Sequence, residues 1–375
     1  MKIIFAGGGT AGHVEPALAI ARLWREKYPN DLLEFIGTPS GLENQLVPAA
    51  NFKLHHIPKV VLPRKITFSA MNAPVAFLKA LAASRQIIKG ADLLIGFGGY
   101  VSAPSYLAAK SLGIPFVIHE ANAKPGFANR LGAHLTANVA VAQAVESGAL
   151  SRALITGIPL RSDVARALTD STADWAKARA SAKAKLGFSP AAPLILAFFG
   201  SQGSVALNSV IEKSLPALLS NGNQLLHAVG KLNPLPKIEE RYKSTAYIED
   251  MATAYLAADL IISRSGAISC SEINALGRYS LFIPLPIGNG EQRYNANQVI
   301  TQGRGEVINQ ELFSPAWVAS NLGRLLEKST ASPIAGSSSD LNATVNGQSH
   351  HELATPVTVD LEWISIGGLP SCSNK

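Results

Sequence analysis

His13 is the first residue whose type and place could do chemistry. It follows Phe5-Ala-Gly-Gly-Gly-Thr-Ala-Gly12, a run that comes directly after apolar Ile3-Ile4 and directly before a helical pattern. A neutral imidazole at the mouth of such a turn can accept a proton from an attacking hydroxyl near pH 7; a histidine that only caps the helix is the competing reading. Gly98-Gly-Tyr-Val-Ser102 and His119-Glu120-Ala121-Asn122 each follow a short apolar run. Both therefore belong at C-terminal ends of parallel strands, the edge where open α/β sheets bind ligands.

In the second half, Phe199-Gly-Ser-Gln-Gly-Ser204 repeats the glycine turn, and Arg264-Ser265-Gly266-Ala267 follows Leu260-Ile261-Ile262. A helix beginning at Ser265 or Gly266 would bear Glu272. A carboxylate there can accept hydrogen bonds from both hydroxyls of a ribose while the helix start faces a diphosphate; an ordinary surface glutamate is the alternative. Asn289-Gly-Glu-Gln292-Arg-Tyr-Asn295-Ala296, after Ile283-Pro-Leu-Pro-Ile287, groups amides and charges suited to sugar hydroxyls, though by itself it reads as a polar loop.

The elements that must position these groups follow from periodicity. Short apolar runs (Ile3–Ala6, Leu33–Ile36, Leu54–Ile57, Leu93–Ile95, Phe116–His119 and Val139–Ala142) alternate with helical patterns such as Pro16–Lys27 and Ala103–Leu112. Leu194–Phe199, Gln224–Ala228, Leu260–Ser263 and Leu281–Pro284 repeat the theme, predicting parallel sheets covered by helices. Two strand-to-helix glycine turns predict two nucleotide-fold lobes facing a shared cleft, with phosphates as ligands, because each turn leaves helix N-terminal N–H groups open. Gly157-Ile-Pro-Leu-Arg161 punctuates the change of lobe, so the domains are expected at 1–160 and 161–328. After Lys328 the composition turns to Ser, Thr, Ala, Gly and Asn, and residues 329–375 read as a polar, mobile tail.

Several function classes are disfavoured. Gly7, Gly9 and Gly12 fit G-x-G-x-x-G, yet the next strand ends in Ile36-Gly37-Thr38 without the acidic ribose ligand of a dinucleotide fold, so no nicotinamide cofactor is expected. There is no D-x-D pair and no His/Asp/Glu cluster at ligand spacing, so no metal is expected either, and leaving-group charge would fall to helix dipoles and backbone N–H groups. Cys270 and Cys372 lack disulfide or zinc spacing and read as incidental thiols. The chain is 47% hydrophobic and 16% charged, with mean hydropathy +0.17, but has no run fit to span a bilayer and no signal-peptide core; a cytoplasmic protein is expected.

Charge is unevenly placed. Residues 1–160 hold 15 Lys/Arg against 8 Asp/Glu, whereas residues 161–375 hold 18 of each. No acidic residue occurs from Asn44 to Ala91, where Lys53, Lys59, Arg64, Lys65, Lys79, Arg85 and Lys89 alternate with Val60-Val61-Leu62 and Val75-Ala-Phe-Leu78. Basic plus aliphatic suits an anionic membrane surface, and interleaving that is mainly aliphatic rather than base-stacking aromatic argues against nucleic acid.

Taken in order, Gly7–His13, Gly98–Ser102, His119–Asn122, Gly157–Arg161, Gly200–Gly203, Tyr247-Ile-Glu-Asp-Met251, Arg264–Gly266 through Ser271-Glu272, and Gln292 to Asn295-Ala296 resemble the MurG-type N-acetylglucosaminyltransferase family over roughly residues 1–325. The resemblance implies two Rossmann-like domains in a GT-B glycosyltransferase fold. It also implies inverting transfer of N-acetylglucosamine from UDP-N-acetylglucosamine to the 4-hydroxyl of muramoyl pentapeptide on undecaprenyl diphosphate, at the cytoplasmic face of the membrane. It assigns Thr10, Ala11 and Gly12 to the donor sugar or acceptor diphosphate, Asn122 and Arg161 to donor-side groups, and Ser201 to the UDP phosphates. Ile248 would meet uracil through its backbone. The helix start Ala267, Ile268, Ser269, Cys270, Ser271 and Glu272 would hold phosphate and ribose, and Gln292 would select sugar hydroxyls. His13 is the first choice of base and Glu120 the second.

Val75, Phe77, Leu78 and Leu81 beside Arg64, Lys65, Lys79 and Arg85 look like the family's membrane-facing patch; a core helix with a solvated basic edge is the alternative. Three departures stand out. Ala11 replaces a usual glycine and is tolerable only without positive φ. Ile158 replaces a usual Asn, and the tail lacks a clear amphipathic closing helix. A glycosyltransferase with another lipid or small-molecule acceptor, or a non-catalytic nucleotide-sugar-binding module, would retain the same motifs.

Overall fold

The computed structural model describes residues 1–60, 73–287 and 290–331, and it divides into two compact units between Arg161 and Ser162. The first unit contains β1 (Lys2–Gly7), α1 (Ala11–Lys27), β2 (Leu32–Gly37), α2 (Glu43–Ala49), β3 (Lys53–His56), α3 (Ala73–Ile88) and β4 (Leu93–Gly98). It continues with α4 (Ser102–Leu112), β5 (Phe116–Glu120), α5 (Phe127–Gly132), β6 (Val139–Val141) and β7 (Leu154–Ile155). The seven strands pair in parallel in the order β3-β2-β1-β4-β5-β6-β7.

Strand period sorts the residues of β1 between two cores. Ile3 and Phe5 pack with Val14, Leu18 and Trp24 of α1, whereas Ile4 and Ala6 pack with Ala80 and Ile88 of α3 and Tyr106 of α4. A strand buried on both faces needs no polar alternation, which is why Ile3-Ile4-Phe5-Ala6 is continuously apolar. Phe5 stacks on Phe35 of β2 at 5.0 Å between ring centroids.

The second unit opens with α6 (Ser162–Ser171), α7 (Trp175–Lys185), β8 (Leu194–Phe198), α8 (Val205–Lys213), α9 (Leu215–Leu218), β9 (Gln224–Ala228) and β10 (Tyr242–Thr245). It closes with α10 (Met251–Ala257), β11 (Leu260–Ser263), α11 (Ala267–Ala275), β12 (Tyr279–Phe282), α12 (Glu291–Asn295), α13 (Asn297–Thr301), β13 (Gly305–Val307) and α14 (Pro315–Ala331). Its strands are again parallel, in the order β10-β9-β8-β11-β12-β13. Val318, Leu322 and Leu325 of α14 pack on Ile195, Ile262 and Leu281 of the sheet.

The helix α14 runs to Ala331, three residues into the segment expected to be tail; residues 332–375, with Cys372, lie outside the described residues. Among the described residues no helix is long and apolar enough to cross a membrane.

Each sheet reverses its strand order once, between β1 and β4 in the first unit and between β8 and β11 in the second. Loops after neighbouring strands diverge at such a point and leave a crevice outside the carboxyl ends. The two glycine turns follow β1 and β8, so each lies on its unit's crevice.

Candidate active site

In the first unit, the glycine turn is shaped by what surrounds it. A Cβ on Gly7 would lie 2.7 Å from the His13 carbonyl, and one on Gly99 would lie 2.3 Å from the Gly8 carbonyl, so the β1 and β4 turns touch backbone to backbone. Gly9, Gly98 and Gly99 have φ of +90°, +95° and +84°. Ala11 is not among the residues with positive φ; it sits in the first turn of α1, so its methyl group adds no backbone strain. Among the described residues the main-chain N–H groups of Ala11 and Gly12 make no hydrogen bond, while Thr10 contributes its carbonyl to His13 N and Val14 N.

His13 neither caps the helix nor points into the core. Its Nδ1 lies 3.1 Å from the Gly8 carbonyl and 3.2 Å from Thr10 Oγ1. A carbonyl can only accept, so Nδ1 carries the proton and donates to Gly8. The neutral ring then keeps its basic lone pair on Nε2, which no hydrogen bond engages among the described residues. The helix-capping alternative is thereby overturned: Thr10 is the N-cap residue of α1, and the ring is held by the loop.

Glu120 is differently placed. It is buried at the end of β5, and four donors occupy its oxygens: Asn122 N at 2.9 Å and Asn122 Nδ2 at 3.1 Å on Oε1, with Gly126 N at 2.9 Å and Asn129 Nδ2 at 3.0 Å on Oε2. It braces the loop that carries Asn122, and its lone pairs are already committed. The chain of contacts continues from Asn129 Oδ1 to the Tyr106 hydroxyl at 2.7 Å; burial pushes that hydroxyl above its usual range. His119 donates from Nε2 to the Gly157 carbonyl at 2.8 Å, and burial, partly offset by that bond, pushes its ring down to about 4. Arg161 is half-buried immediately before α6, and Ile158 is buried.

The most informative residue that sequence reading missed is Glu43. The expected acidic group was sought at Ile36-Gly37-Thr38; the carboxylate that reaches there comes from α2, with Oε2 accepting from Gly9 N and Oε1 from Thr38 N, each at 2.8 Å. The sequence signal there is Ser40-Gly41-Leu42-Glu43, which has the spacing of a capping box before an apolar stretch, although the helix caps at Leu42 and Glu43 turns instead to Gly9 and Thr38.

The second unit builds its crevice from donors. Gly203 has φ +70°, and a Cβ there would lie 1.8 Å from the Val229 carbonyl, so the β8 turn presses against the end of β9. Ser204 caps α8 by accepting from Leu207 N, and Ser201 is half-buried, its carbonyl accepting from Lys231 N at 3.2 Å. Arg264 ties the ends of two strands together: its Nη1 donates to the Ile283 and Pro284 carbonyls, both at 3.0 Å, and its Nη2 to Gln310 Oε1 at 2.6 Å.

The helix α11 begins at Ala267 with Gly266 as its cap and no side-chain cap. Among the described residues the N–H groups of Ala267 and Ile268 therefore make no hydrogen bond, which leaves the positive end of the helix dipole at this N-terminus. Ile268, Ser269 and Ser271 are half-buried; Ala267, Cys270 and Glu272 are buried. Glu272 is thus no surface glutamate, being 1% exposed, and burial pushes the Cys270 thiol above its usual range. Gln292 accepts from Leu285 N at 3.0 Å, and Asn295 Nδ2 donates to the Ser265 carbonyl at 3.2 Å, so α12 is stitched to the loops after β11 and β12. Asn289 lies outside the described residues. Ile248 buries its side chain while its main-chain N–H and C=O make no hydrogen bond among the described residues.

The basic stretch divides. Arg64 and Lys65 lie outside the described residues. On α3, Phe77 and Leu81 pack against the core, whereas Val75 and Leu78 are 53% and 63% exposed beside exposed Lys79 and Arg85. Two of the four apolar residues expected to face outward are therefore partly buried against the core. Among the described residues no group of three His, Cys, Asp or Glu side chains could hold a metal ion.

Known proteins match both units. Residues 3–141 match the glycosyltransferase family 28 N-terminal domain and residues 194–349 its C-terminal domain. The UDP-N-acetylglucosamine–N-acetylmuramyl-(pentapeptide) pyrophosphoryl-undecaprenol N-acetylglucosamine transferase of Streptomyces coelicolor is 43% identical over 329 residues, covering 86% of this chain and 88% of that protein. Its counterpart in Corynebacterium glutamicum strain R is 42% identical over 333 residues, covering 88% and 91%. The crystal structure of Acinetobacter baumannii MurG superposes with a TM-score of 0.65 at 27% identity, covering 88% of this chain and 92% of that one. With two parallel-sheet α/β units, each carrying its own domain signature, and this identity along nearly the full length of the relatives, the chain belongs to the MurG family of GT-B glycosyltransferases, within glycosyltransferase family 28.

Proposed function

We propose that this chain transfers N-acetylglucosamine from UDP-N-acetylglucosamine to the 4-hydroxyl of undecaprenyl-diphospho-N-acetylmuramoyl pentapeptide, with inversion, giving the lipid-linked disaccharide of peptidoglycan. The observation that carries this reading is the 43% identity to a transferase of that name across 88% of its length. The acceptor oxygen attacks the anomeric carbon, the bond from that carbon to the diphosphate oxygen breaks, and UDP leaves with the bonding pair. The hydroxyl proton passes to Nε2 of His13, whose tautomer leaves that nitrogen open. Glu120 positions Asn122 and does not serve as the base, because its lone pairs are spent on four donors.

Donor recognition falls to the second unit. The open N–H groups of Ala267 and Ile268, with Ser269, Ser201 and the dipole of α11, meet the diphosphate charge. The main-chain donor and acceptor of Ile248, unbonded among the described residues, match a uracil edge, and the buried carboxylate of Glu272 takes the ribose hydroxyls. In the second unit Gln292 selects the sugar; in the first, Asn122 and Arg161 meet donor-side groups, and Thr10, Ala11 and Gly12 meet the donor sugar or the acceptor diphosphate. The exposed Val75 and Leu78 with Lys79 and Arg85 seat α3 on the anionic cytoplasmic face of the membrane, where the acceptor resides.

The test is transfer of radiolabelled N-acetylglucosamine to synthetic lipid-linked muramoyl pentapeptide. A β-1,4-linked product from UDP-N-acetylglucosamine supports the reading; no product at any protein concentration, with UDP still bound, would leave a nucleotide-sugar-binding module. Paired Val75→Glu and Leu78→Glu substitutions are expected to cut sedimentation with anionic vesicles about tenfold or more, since each side chain contributes about 1.5 kcal/mol on burial. Unchanged sedimentation would remove α3 from that role.

A further inference from the structure

Glu43 is fully buried, yet it belongs to neither crevice lining nor any assigned site. Its carboxylate accepts three hydrogen bonds: from Gly9 N on Oε2 at 2.8 Å, and from Thr38 N at 2.8 Å and Thr38 Oγ1 at 3.0 Å on Oε1. Burial pushes its carboxyl up, but the donors Gly9 and Thr38 outweigh burial and hold it below the usual carboxylate range. The surroundings are cut to its shape. A Cβ on Gly8 would come within 2.8 Å of the carboxylate, one on Gly37 within 2.4 Å of its Cγ and one on Gly41 within 1.9 Å of Oε2. Three glycines from two loops thus make room for one side chain, which a packing residue alone would not require.

The two ends of the Gly8–Gly9 segment have different tasks. The N–H of Gly9 is held by Glu43, and the carbonyl of Gly8 accepts the Nδ1 proton of His13 at 3.1 Å. These two groups belong to the same peptide unit, which is planar and rigid, so fixing the N–H fixes the direction of the carbonyl. We infer that Glu43 is a positioning residue for the transfer reaction: its carboxylate orients the Gly8–Gly9 peptide, and that peptide fixes the His13 tautomer that leaves Nε2 available as base. The inference rests on the transferase reading for its rate consequences, but its geometric half stands apart from it.

Glu43→Gln replaces one accepting oxygen by an NH₂ that can only donate, so either Gly9 or Thr38 faces donor against donor. Histidine-selective ¹⁵N NMR on the full chain is expected to show His13 as the Nδ1–H tautomer in the parent protein and as a tautomer mixture in Glu43→Gln. The same variant is expected to lose on the order of 10²-fold in kcat, the cost of a misplaced catalytic group, with the donor KM unchanged. A merely structural Glu43 would lower the melting temperature and the active fraction while leaving the tautomer of the folded protein intact.

Should Glu43→Gln not fold, Gly41→Ala carries the same test, because its methyl group drives the carboxylate off Gly9 without deleting it. Conversely, Glu43→Asp keeps the charge but spans less distance, and is expected to fall between the parent and Glu43→Gln in both measurements. An unchanged His13 tautomer in a folded variant overturns the inference. A parent protein that shows the Nδ1–H tautomer but no transfer overturns the reaction assignment and not the peptide coupling.

Discussion

The two crevices share a backbone plan and divide the chemistry. In both, a glycine turn follows the central strand at the point where strand order reverses, and a second loop follows the adjacent strand. Around the β1/β4 crevice the fixed groups are acceptors: Glu43 on Gly9, Glu120 on Asn122 and Asn129, and the Gly8 carbonyl on His13. Around β8/β11 they are donors: Arg264 on the Ile283 and Pro284 carbonyls, and the open N–H groups of α11. The first arrangement orients an imidazole; the second leaves N–H groups and a helix dipole facing outward. A common scaffold acquires opposite electrostatic duties through the few residues that brace its turns.

The largest expected effect separates the duties. His13→Ala should lower turnover on lipid-linked acceptor by about 10²- to 10⁴-fold while UDP binding, followed by calorimetric titration, stays at the parent level. Equal loss of UDP binding would mean that the first crevice also holds the nucleotide. Arg264→Leu strips hydrogen bonds from buried acceptors and should cost about 3 kcal/mol of stability, confined to the second unit when read by hydrogen exchange. Loss of protection in both units would show that their stabilities are not separable.

Acid sharpens the comparison next, because among the described residues each unit buries one histidine. His119 in the first and His227 in the second are pushed by burial from 6.5 to about 4. A histidine with a depressed folded value binds its proton more readily when unfolded, so stability is complete above 6.5 and falls as pH drops from there toward 4. Each ring should contribute up to ~3 kcal/mol of that loss. His227→Gln should flatten the slope in the second unit alone.

The smallest contrast is between two glycines of nearly equal φ. Gly99→Ala, at +84°, drives its methyl group into the Gly8 carbonyl, whereas Gly200→Ala, at +85°, meets open space. Strain alone costs the latter about 1–2 kcal/mol, and the former should lose more, with turnover falling alongside the urea midpoint. Equal midpoints would indicate that the β1 and β4 turns can part freely.

Most of this architecture was legible because central strands buried on both faces are continuous apolar runs. Nine interior strands were placed that way and the edge strand β3 by Leu54 and Ile57, with bounds within about three residues. The three strands that escaped, Leu154–Ile155, Tyr242–Thr245 and Gly305–Val307, all sit at sheet edges, where half-exposed backbone needs no such run. Candidate site residues at strand ends, such as His13, Glu120 and Arg264, were legible by position, since loops after parallel strands emerge on one side. Their surroundings were not: that Glu120 accepts four hydrogen bonds, that Glu272 is buried and that Phe77 and Leu81 are partly buried against the core depend on neighbours distant in sequence. Glu43 shows the limit best, because its partner Gly9 lies across a strand and two loops.

The pairing of β1 with β4 has a consequence for biosynthesis. Ile3 bonds alongside Leu93, and in the second unit Ile195 alongside Leu260, so neither crevice can close until a long intervening stretch has left the ribosome. Loop-closure entropy makes such distant parallel pairings slow. During that interval β1, the most apolar strand of the nascent first unit, has only β2 to shelter one edge. Catalytic competence is therefore gained last, and chaperone demand should peak as residues 93–98 emerge.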